Sequence, residues 1–513
     1  MSTHDQNSIE ETPSHELHDP PKPKRTPLPR FQLFIVFLIQ FAEPVTATVI
    51  YPFINQFVRD TGITRGDERK TGYYAGVIES AFFFAEALTV FQWGRMSDKF
   101  GRRPVLLLGP LGLSIFMLTF GLSNNFWSLV VSRCMQGVFN GNIGVSKSVM
   151  GEITDSTNIA DAFALMPLNW SFGSTIGPIL GGLLSQPAKT WPDLFGKILF
   201  FHQYPYFLPC AIAGLIAGVS GLIASIGLKE TLPSAASQEK KRRAAAASSA
   251  TPSATTGLLS GHDDPGYAAV EVNVPEPNTE APPPLRKLLV RPVLMTLLVH
   301  AFLAFTDMSV QVLQPLVYST SISLGGLGFD PYHIGSIMGI WGVVNAVFQL
   351  TFLGRVIRRF GARNVQKFAM LSYAIVLTLY PFLSFFAQRA GKADGFVYAI
   401  IVVQLTCAMS NSAAYGMLDH CVQRQDTDGY TAAIQILILE AAPNRASLGA
   451  TNGMAQAVGS VMRSIAPSIA SSLFSVSLQH QLAGGNMVFL VLLGVALTGL
   501  RISFLLPAPK STS

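Results

Sequence analysis

The sequence predicts an all-α integral membrane protein, with twelve transmembrane helices arranged as two pseudo-symmetric six-helix bundles. Three observations carry that prediction. Charged residues are only 13% of the 513 residues and hydrophobic ones 49%, whereas a soluble protein is roughly 25% charged. Apolar runs recur at the length of about 20 residues that a bilayer-crossing helix needs. A polar segment divides these runs six and six, and a pattern of glycines and charges follows the second run of each set.

The first bundle occupies 31–228. Residues 1–30 precede it as a disordered cytosolic tail containing the basic, Pro-rich stretch PPKPKRTPLPR, and no cleavable signal peptide is visible. Its apolar runs are 31–54, 73–93, 104–122, 126–149, 161–184 and 206–228. Each is read as a helix because a lone segment in lipid must satisfy its own backbone. The runs do not alternate polar and apolar residues, which removes a β-barrel.

Residues 229–291 form a cytosolic linker, rich in Ala, Ser, Thr and Pro, with KKRR at 240–243. It has too little apolar surface to offset its ordering entropy. Lys229, Lys240, Lys241, Arg242, Arg243, Arg286, Lys287 and Arg291 place it in the cytosol by the positive-inside rule. An even number of spans precedes it, so the N-terminal tail is cytosolic too. The 94–104 connector falls on the same side, and the uncharged LSNNF connector at 122–126 faces out. One connector opposes the scheme: 59–70 should be external yet carries four basic residues among three acidic ones.

The second bundle, 292–507, has runs at 292–318, 333–354, 365–387, 396–418, 446–475 and 486–507, before a cytosolic tail at 508–513. The fourth of these runs is followed by LDHCVQRQDTDGYT and a short apolar piece at 431–442, too short to cross a bilayer. An interruption of one helix near 417–431 is favoured over an interfacial segment, and a retained intron would produce it. A transcript lacking those residues would support that origin.

Several function classes are excluded by what accompanies the runs. The net charge of +6 comes from basic residues beside apolar runs, with no basic helix or aromatic platform for nucleic acid. Cys134, Cys210, Cys407 and Cys421 are scattered, which implies neither a disulfide framework nor a metal cluster. No G-x-x-x-x-G-K-[ST] loop is present, so no ATP site is expected. His300 and His420 are isolated, and no nucleophile–base spacing stands out. An enzyme is not expected, nor a cofactor.

Three motifs carry the functional reading. GRMSDKFGRRP at 94–104 fits G-x-x-x-D-[KR]-x-G-R-[KR] through Gly94, Asp98, Lys99, Gly101, Arg102 and Arg103. A basic loop is common, but an aspartate and two glycines at these offsets are not. Gly101 lets the chain turn tightly, and Gly94 permits close helix approach. A second copy, GRVIRRFGARN, keeps Gly354, Arg355, Arg359, Gly361 and Arg363 but has Arg358 in place of the acid. Such duplication supports two related halves. Span four contains Arg133, Gln136 and Gly137 as R-x-x-Q-G. An arginine within a span faces a partner or water, unless it snorkels to the interface. Span five reads GSTIGPILGG, with Gly173, Gly177, Pro178, Gly181 and Gly182. Small residues at such spacing pack helices closely.

Together these motifs resemble the signatures of the major facilitator superfamily, and the span-five pattern resembles the antiporter signature of its proton-coupled drug exporters. The chain is further similar to the zinc-induced facilitator-like branch and its fungal relatives. That likeness rests on AEPVTATVIYPFINQFVRD, GYYAGVIESAFFFAEALTVFQWGRMSDKFGRRPV, SQPAKTWPDLF, YPYFLP, ETLP at 230–233 and PNRASLGATNGMAQ. The cysteine motif of plant members is absent, as is the likeness near 417–431. The resemblance implies the major facilitator fold and a breakable latch: Asp98 at the N-terminus of the eleventh helix, near Ser447 to Ala450, and Arg102 paired with Glu152. It also ties Arg133 to proton coupling.

The intramembrane acids Glu43, Glu79, Glu86 and Asp307 are the candidate proton carriers, each with a structural polar pair as the plainer alternative. An acid facing Arg133 could switch between pairing with it and carrying a proton. Glu43, beside Pro44, is placed first in that role and Asp307 second, with Glu79 nearer the external end. Gln40, Tyr51, Asn169, Trp170, Gln311, Gln314 and Trp341 are candidates for lining a cavity between the halves. The favoured function is proton-coupled antiport of small organic solutes by a monomer in the plasma or vacuolar membrane. An uncoupled facilitator and a non-transporting receptor or scaffold on the same fold are the alternatives.

Overall fold

In the computed structural model the described residues are 26–155, 158, 162, 165–232, 290–415 and 448–506. The tails, most of the 229–291 linker, the KKRR stretch, the 417–431 region and Ser447 lie outside them. The described residues form long helices in the positions of the twelve apolar runs. In the first half these are α1 (Arg30–Thr48), a short α2 (Ile54–Asp60), α3 (Thr71–Phe100), α4 (Arg102–Gly121), α5 (Phe126–Asn140), α6 (Ile143–Ile153), α7 (Met166–Leu184) and α8 (Phe207–Gly227), with three single-turn helices between α7 and α8. In the second they are α9 (Arg291–Ser319), α10 (Pro331–Phe348), α11 (Gly354–Phe360), α12 (Ala362–Ala390), α13 (Gly395–Tyr415), α14 (Leu448–Gln479) and α15 (Met487–Phe504).

Local chemistry sets where these helices start and bend. The Asn125 side chain accepts from the Ser128 N–H at 2.9 Å and caps α5. Asp330 does the same for α10 through the His333 N–H at 2.9 Å, with Pro331 in the first turn. Span four is broken at Gly141–Asn142 into α5 and α6. Span eight ends in a wider π turn over Gln349–Leu353 before α11.

The stretch read as a connector at 94–104 is mostly helix. α3 continues through the charged residues to Phe100, and α4 starts at Arg102, leaving Gly101 alone between them at φ +103°. Helix persists because its backbone bonds stay made, and Asp98 and Arg102 still meet across the turn. The second half repeats this with Gly361, at φ +75°, between α11 and α12. An L side chain is strained in that region, so both turns require glycine. Gly94, by contrast, faces open space, and the close helix approach expected there is not made.

Among the described residues the halves touch mainly through two antiparallel helix pairs. α3 packs on α14: a Cβ on Gly76 would lie 1.8 Å from Ser471 Oγ, and one on Gly72 2.5 Å from the Ser471 carbonyl. Ser468 donates to the Gly76 carbonyl at 3.3 Å and shares a 2.8 Å contact with Ser80 Oγ. α7 packs on α10, where a Cβ on Gly182 would lie 2.7 Å from the Gly335 Cα. Ser171 Oγ donates to Gln349 Oε1 at 2.8 Å farther along the same pair. Small residues at crossings let backbones approach where lipid gives no hydrophobic drive.

Most of these contacts lie toward the end carrying Arg59, opposite the end carrying Asp98. There the odd connector at 59–70 finds its use. Arg59 Nη1 sits 3.4 Å from Glu68 Oε1, and its Nη2 donates to the Ser319 carbonyl at 3.3 Å. The Ser321 N–H donates to the same Glu68 oxygen at 2.9 Å. One ion pair thus holds both edges of the second half's α9 turn. Asp98, at the other end, is 65% exposed on its side chain. The bundle is closed at the Arg59 end.

Glu68→Ala removes the partner of Arg59 and the acceptor for Ser321 together. Spin labels at Arg69 and Ser323 should then report a longer-distance population by pulsed electron resonance. An unchanged distribution would show that the helix crossings alone keep that end shut.

Candidate functional site

The buried charges fall into three groups. The first is centred on Arg133, which is 0% exposed. Its Nη2 lies 3.1 Å from Glu79 Oε2 and 3.2 Å from the Ala47 carbonyl, and its Nη1 donates to Gln136 Oε1 at 2.9 Å. The guanidinium stacks over Phe82 with its carbon 4.5 Å from the ring centre. Tyr51 donates to the other Glu79 oxygen at 3.0 Å, and Gln136 Nε2 donates to the Phe116 carbonyl at 2.9 Å. The network ties α1, α3, α4 and α5 together, as a buried charge in lipid requires.

This corrects the expected partner of Arg133. The facing acid is Glu79, a residue placed by sequence near the external end, and neither Glu43 nor Asp307. Helical rotation decides the matter: Glu79 and Phe82 lie on one face of α3, toward α5, where a Cβ on Gly137 would lie 2.2 Å from the Phe82 carbonyl. Tyr51 belongs to this network rather than to an open cavity.

The second group lines a recess between α1, α4, α5 and α6, built from Gln40, Glu43, Pro110, Asn140 and Ser146. Glu43 lies within electrostatic reach of Glu86 on α3, and Asn140, Lys147 and Arg463 lie within reach of both carboxylates. Gln40 Nε2 and Asn140 Nδ2 are buried without a hydrogen-bond partner. Asp307 lies apart on α9, accepting from Tyr373 Oη at 2.6 Å and from Gln311 Nε2 at 3.0 Å. Among the other expected lining residues, Asn169 donates to the Phe37 carbonyl at 3.1 Å and Trp341 to the Leu405 carbonyl at 2.9 Å. Gln314 lies beside Tyr318 on α9, and Trp170 is exposed. The structure does not gather these residues into one pocket with Gln40.

The third group is the charged cluster at the Asp98 end. Arg102 reaches Asp98 Oδ1 at 2.6 Å through Nη1, and Glu152 Oε1 at 2.9 Å through Nη2. Glu152 also accepts from Thr231 Oγ1 at 2.5 Å. The expected seat of Asp98 on the eleventh helix is not taken, because its carboxylate turns back onto Arg102 of its own half. A helix N-terminus is nevertheless capped by a carboxylate here. Glu230 accepts from the backbone N–H groups of Arg102 at 2.8 Å and Arg103 at 3.1 Å, where the α4 dipole favours negative charge. Sequence reading passed over Glu230 as a bearer of function, although the ETLP stretch marked it.

The glycines of span five have separate tasks. Added Cβ atoms would lie 2.4 Å from Pro44 at Gly173, 2.1 Å from Thr48 at Gly177 and 1.9 Å from the Val49 carbonyl at Gly181. These three seat α7 on α1 just beyond Glu43. Gly182 turns the other way, to α10. Pro178 stands inside α7, and its carbonyl lies 2.5 Å from where a Gly335 Cβ would be. Among the described residues no group of His, Cys, Asp and Glu has the arrangement of a metal site.

The family model described as Major Facilitator Superfamily matches residues 36–437. The major facilitator-type transporter psiT2 of Psilocybe cyanescens is 32% identical over 490 residues, covering 92% of this chain and 89% of that protein. ZINC INDUCED FACILITATOR-LIKE 1 of Arabidopsis thaliana is 28% identical over 499 residues, covering 95% and 93%. Among solved structures, a D-xylose-proton symporter superposes with a TM-score of 0.64 at 12% identity, covering 94% of this chain and 99% of that one.

Glu79→Gln strands the Arg133 charge in the core. Breaking a buried pair from one side costs about 3–5 kcal/mol, so thermal unfolding in detergent should fall well below wild type. The double variant Glu79→Gln/Arg133→Gln should recover much of the loss. Equal destabilisation in both variants would mean that the pair is not the source.

Proposed function

The chain belongs to the Major Facilitator Superfamily, and on that premise we propose that it is a proton-coupled antiporter exporting or sequestering small organic solutes by alternating access. It is a multi-pass membrane transporter. The observation that supports proton coupling is the nearness of Glu43 on α1 to Glu86 on α3, with Glu43 lining a small recess inside the first bundle. Neither carboxylate is in an ion pair among the described residues. Two carboxylates that face one another can take up and give back a proton as charge nearby changes. Glu79, locked to Arg133 and Tyr51, is the strut that holds α3 while that exchange occurs.

With the Asp98 end in the cytosol, the arrangement corresponds to the inward-facing member of the cycle. The Arg102–Glu152 pair and the Glu230 cap hold the base of the first bundle ready for Asp98 to cross to the second when that end closes. Gly173, Gly177, Pro178, Gly181 and Gly182 give α7 the close contacts on which the bundles rock. The plasma membrane or the vacuolar membrane is the site of action in this reading.

Reconstituted vesicles with an imposed proton gradient test the coupling. Wild type should accumulate a small organic amine against its gradient, and Glu43→Gln/Glu86→Gln should lose that accumulation while keeping the wild-type size-exclusion profile. Undiminished gradient-driven uptake by the double variant would move the proton site elsewhere.

A further inference from the structure

The register of α3 against α14 places a charged pair just beyond the packed contact. Gly72 lies against Ser475, Gly76 against Ser471 and Ser80 against Ser468. Continued between one and two turns toward the Asp98 end, the same antiparallel register sets Glu86 opposite Arg463. Arg463 is the cation acting most strongly on Glu86. Lys147, projecting from α6 of the other bundle, lies within reach of Arg463, Glu43 and Glu86 alike.

None of these four charges forms an ion pair among the described residues. Arg463 has a single long hydrogen bond, from Nε to the Gly459 carbonyl at 3.4 Å, and its Nη2 would lie 3.5 Å from a Cβ on Gly459. His300 Nε2 borders the same glycine. Two amides in the adjoining recess, Gln40 and Asn140, are 6% and 1% exposed and keep an unpartnered N–H each. Charges and donors held apart within a membrane are costly unless something bridges them. The bridging molecule must carry both signs, because the site does.

We propose that Lys147 and Arg463 grip the acidic group of a small zwitterionic solute, a carboxylate or a phosphate, while its amine meets Glu43 and Glu86. The proposal rests on the reading of Glu43 and Glu86 as the proton site and names the substrate class for it. An incoming ammonium takes the place of the carboxyl proton, which leaves to solvent, and this is the exchange that antiport needs. Because the two cations belong to opposite bundles, the acidic group also draws the bundles together at the open end.

The full-length protein, purified in detergent, can be titrated calorimetrically with four probes: phenethylamine, phenylpropionate, phenylalanine and para-(aminoethyl)benzoate. A hydrogen-bonded charge contact contributes about 1.5–3 kcal/mol, so at least one zwitterion should bind roughly tenfold or more tightly than either single-charge probe. Lys147→Gln and Arg463→Gln should each reduce it to the phenethylamine level, and Arg463→Lys should restore part of the preference. Size-exclusion profiles and phenethylamine binding keep a misfolded variant from passing as a result. Equal binding of all four probes, or an equal loss for amine and zwitterion in Arg463→Gln, overturns the clamp.

A pH-sensitive dye separates the two readings. Proton release on phenethylamine binding without any preference for zwitterions sinks the clamp alone. Zwitterion preference without proton release sinks the proton site alone. Repeating the titration in phosphatidylethanolamine nanodiscs tests a lipid headgroup as the occupant: loss of zwitterion binding there, with binding kept in detergent, gives the clamp to lipid and overturns the solute assignment.

Discussion

The close approach of small residues at the Arg59 end is the constraint on which the remaining geometry depends. Lipid offers helices no hydrophobic reason to associate, so association there needs backbones within touching distance. Gly72 and Gly76 give that to α3 and α14, and Gly182 and Gly335 give it to α7 and α10. Once these contacts fix the register, every residue further along the four helices has its counterpart assigned. The Ser80–Ser468 contact sets the register from which Glu86 and Arg463 come within electrostatic reach.

Against this movable contact stands a rigid one. Arg133 is held by Glu79, Gln136 and the Ala47 carbonyl, over the Phe82 ring, wholly inside one bundle. Its hydrogen bonds lie within the first half, so rocking one bundle against the other leaves them intact. The structure thus separates two uses of charge in the membrane. One ion pair gives internal stiffness, and a second set of charges stands in no ion pair among the described residues.

The architecture was legible in the sequence because the bilayer imposes lengths. The apolar runs and the observed helices agree within a few residues at most ends, and even the duplicated turn at Gly101 and Gly361 follows from its glycines. What stayed hidden depended on rotation and distance. Glu79 and Glu43 are both acids inside apolar runs, and only the facing of α3 toward α5 decides which one meets Arg133. Glu230 lies 128 residues from the N–H it accepts from, so no local pattern reveals it. Lys147 and Arg463 did carry a signal, since both stand inside apolar runs. Beside the denser motifs of spans two, four and five, that signal went unweighed.

The anchoring of Glu230 to the start of α4 reaches past the cap itself. It pins the last described residues of the first half, so the connection to the second half departs from a fixed point. From residue 233 to residue 289 the chain can extend at roughly 3.3–3.6 Å per residue, many times the width of a helix bundle. That contour length exceeds the separation that tilting of the bundles requires. The freedom of the halves to swing is therefore set by their shared faces, and shortening that tether moderately leaves the swing unaltered.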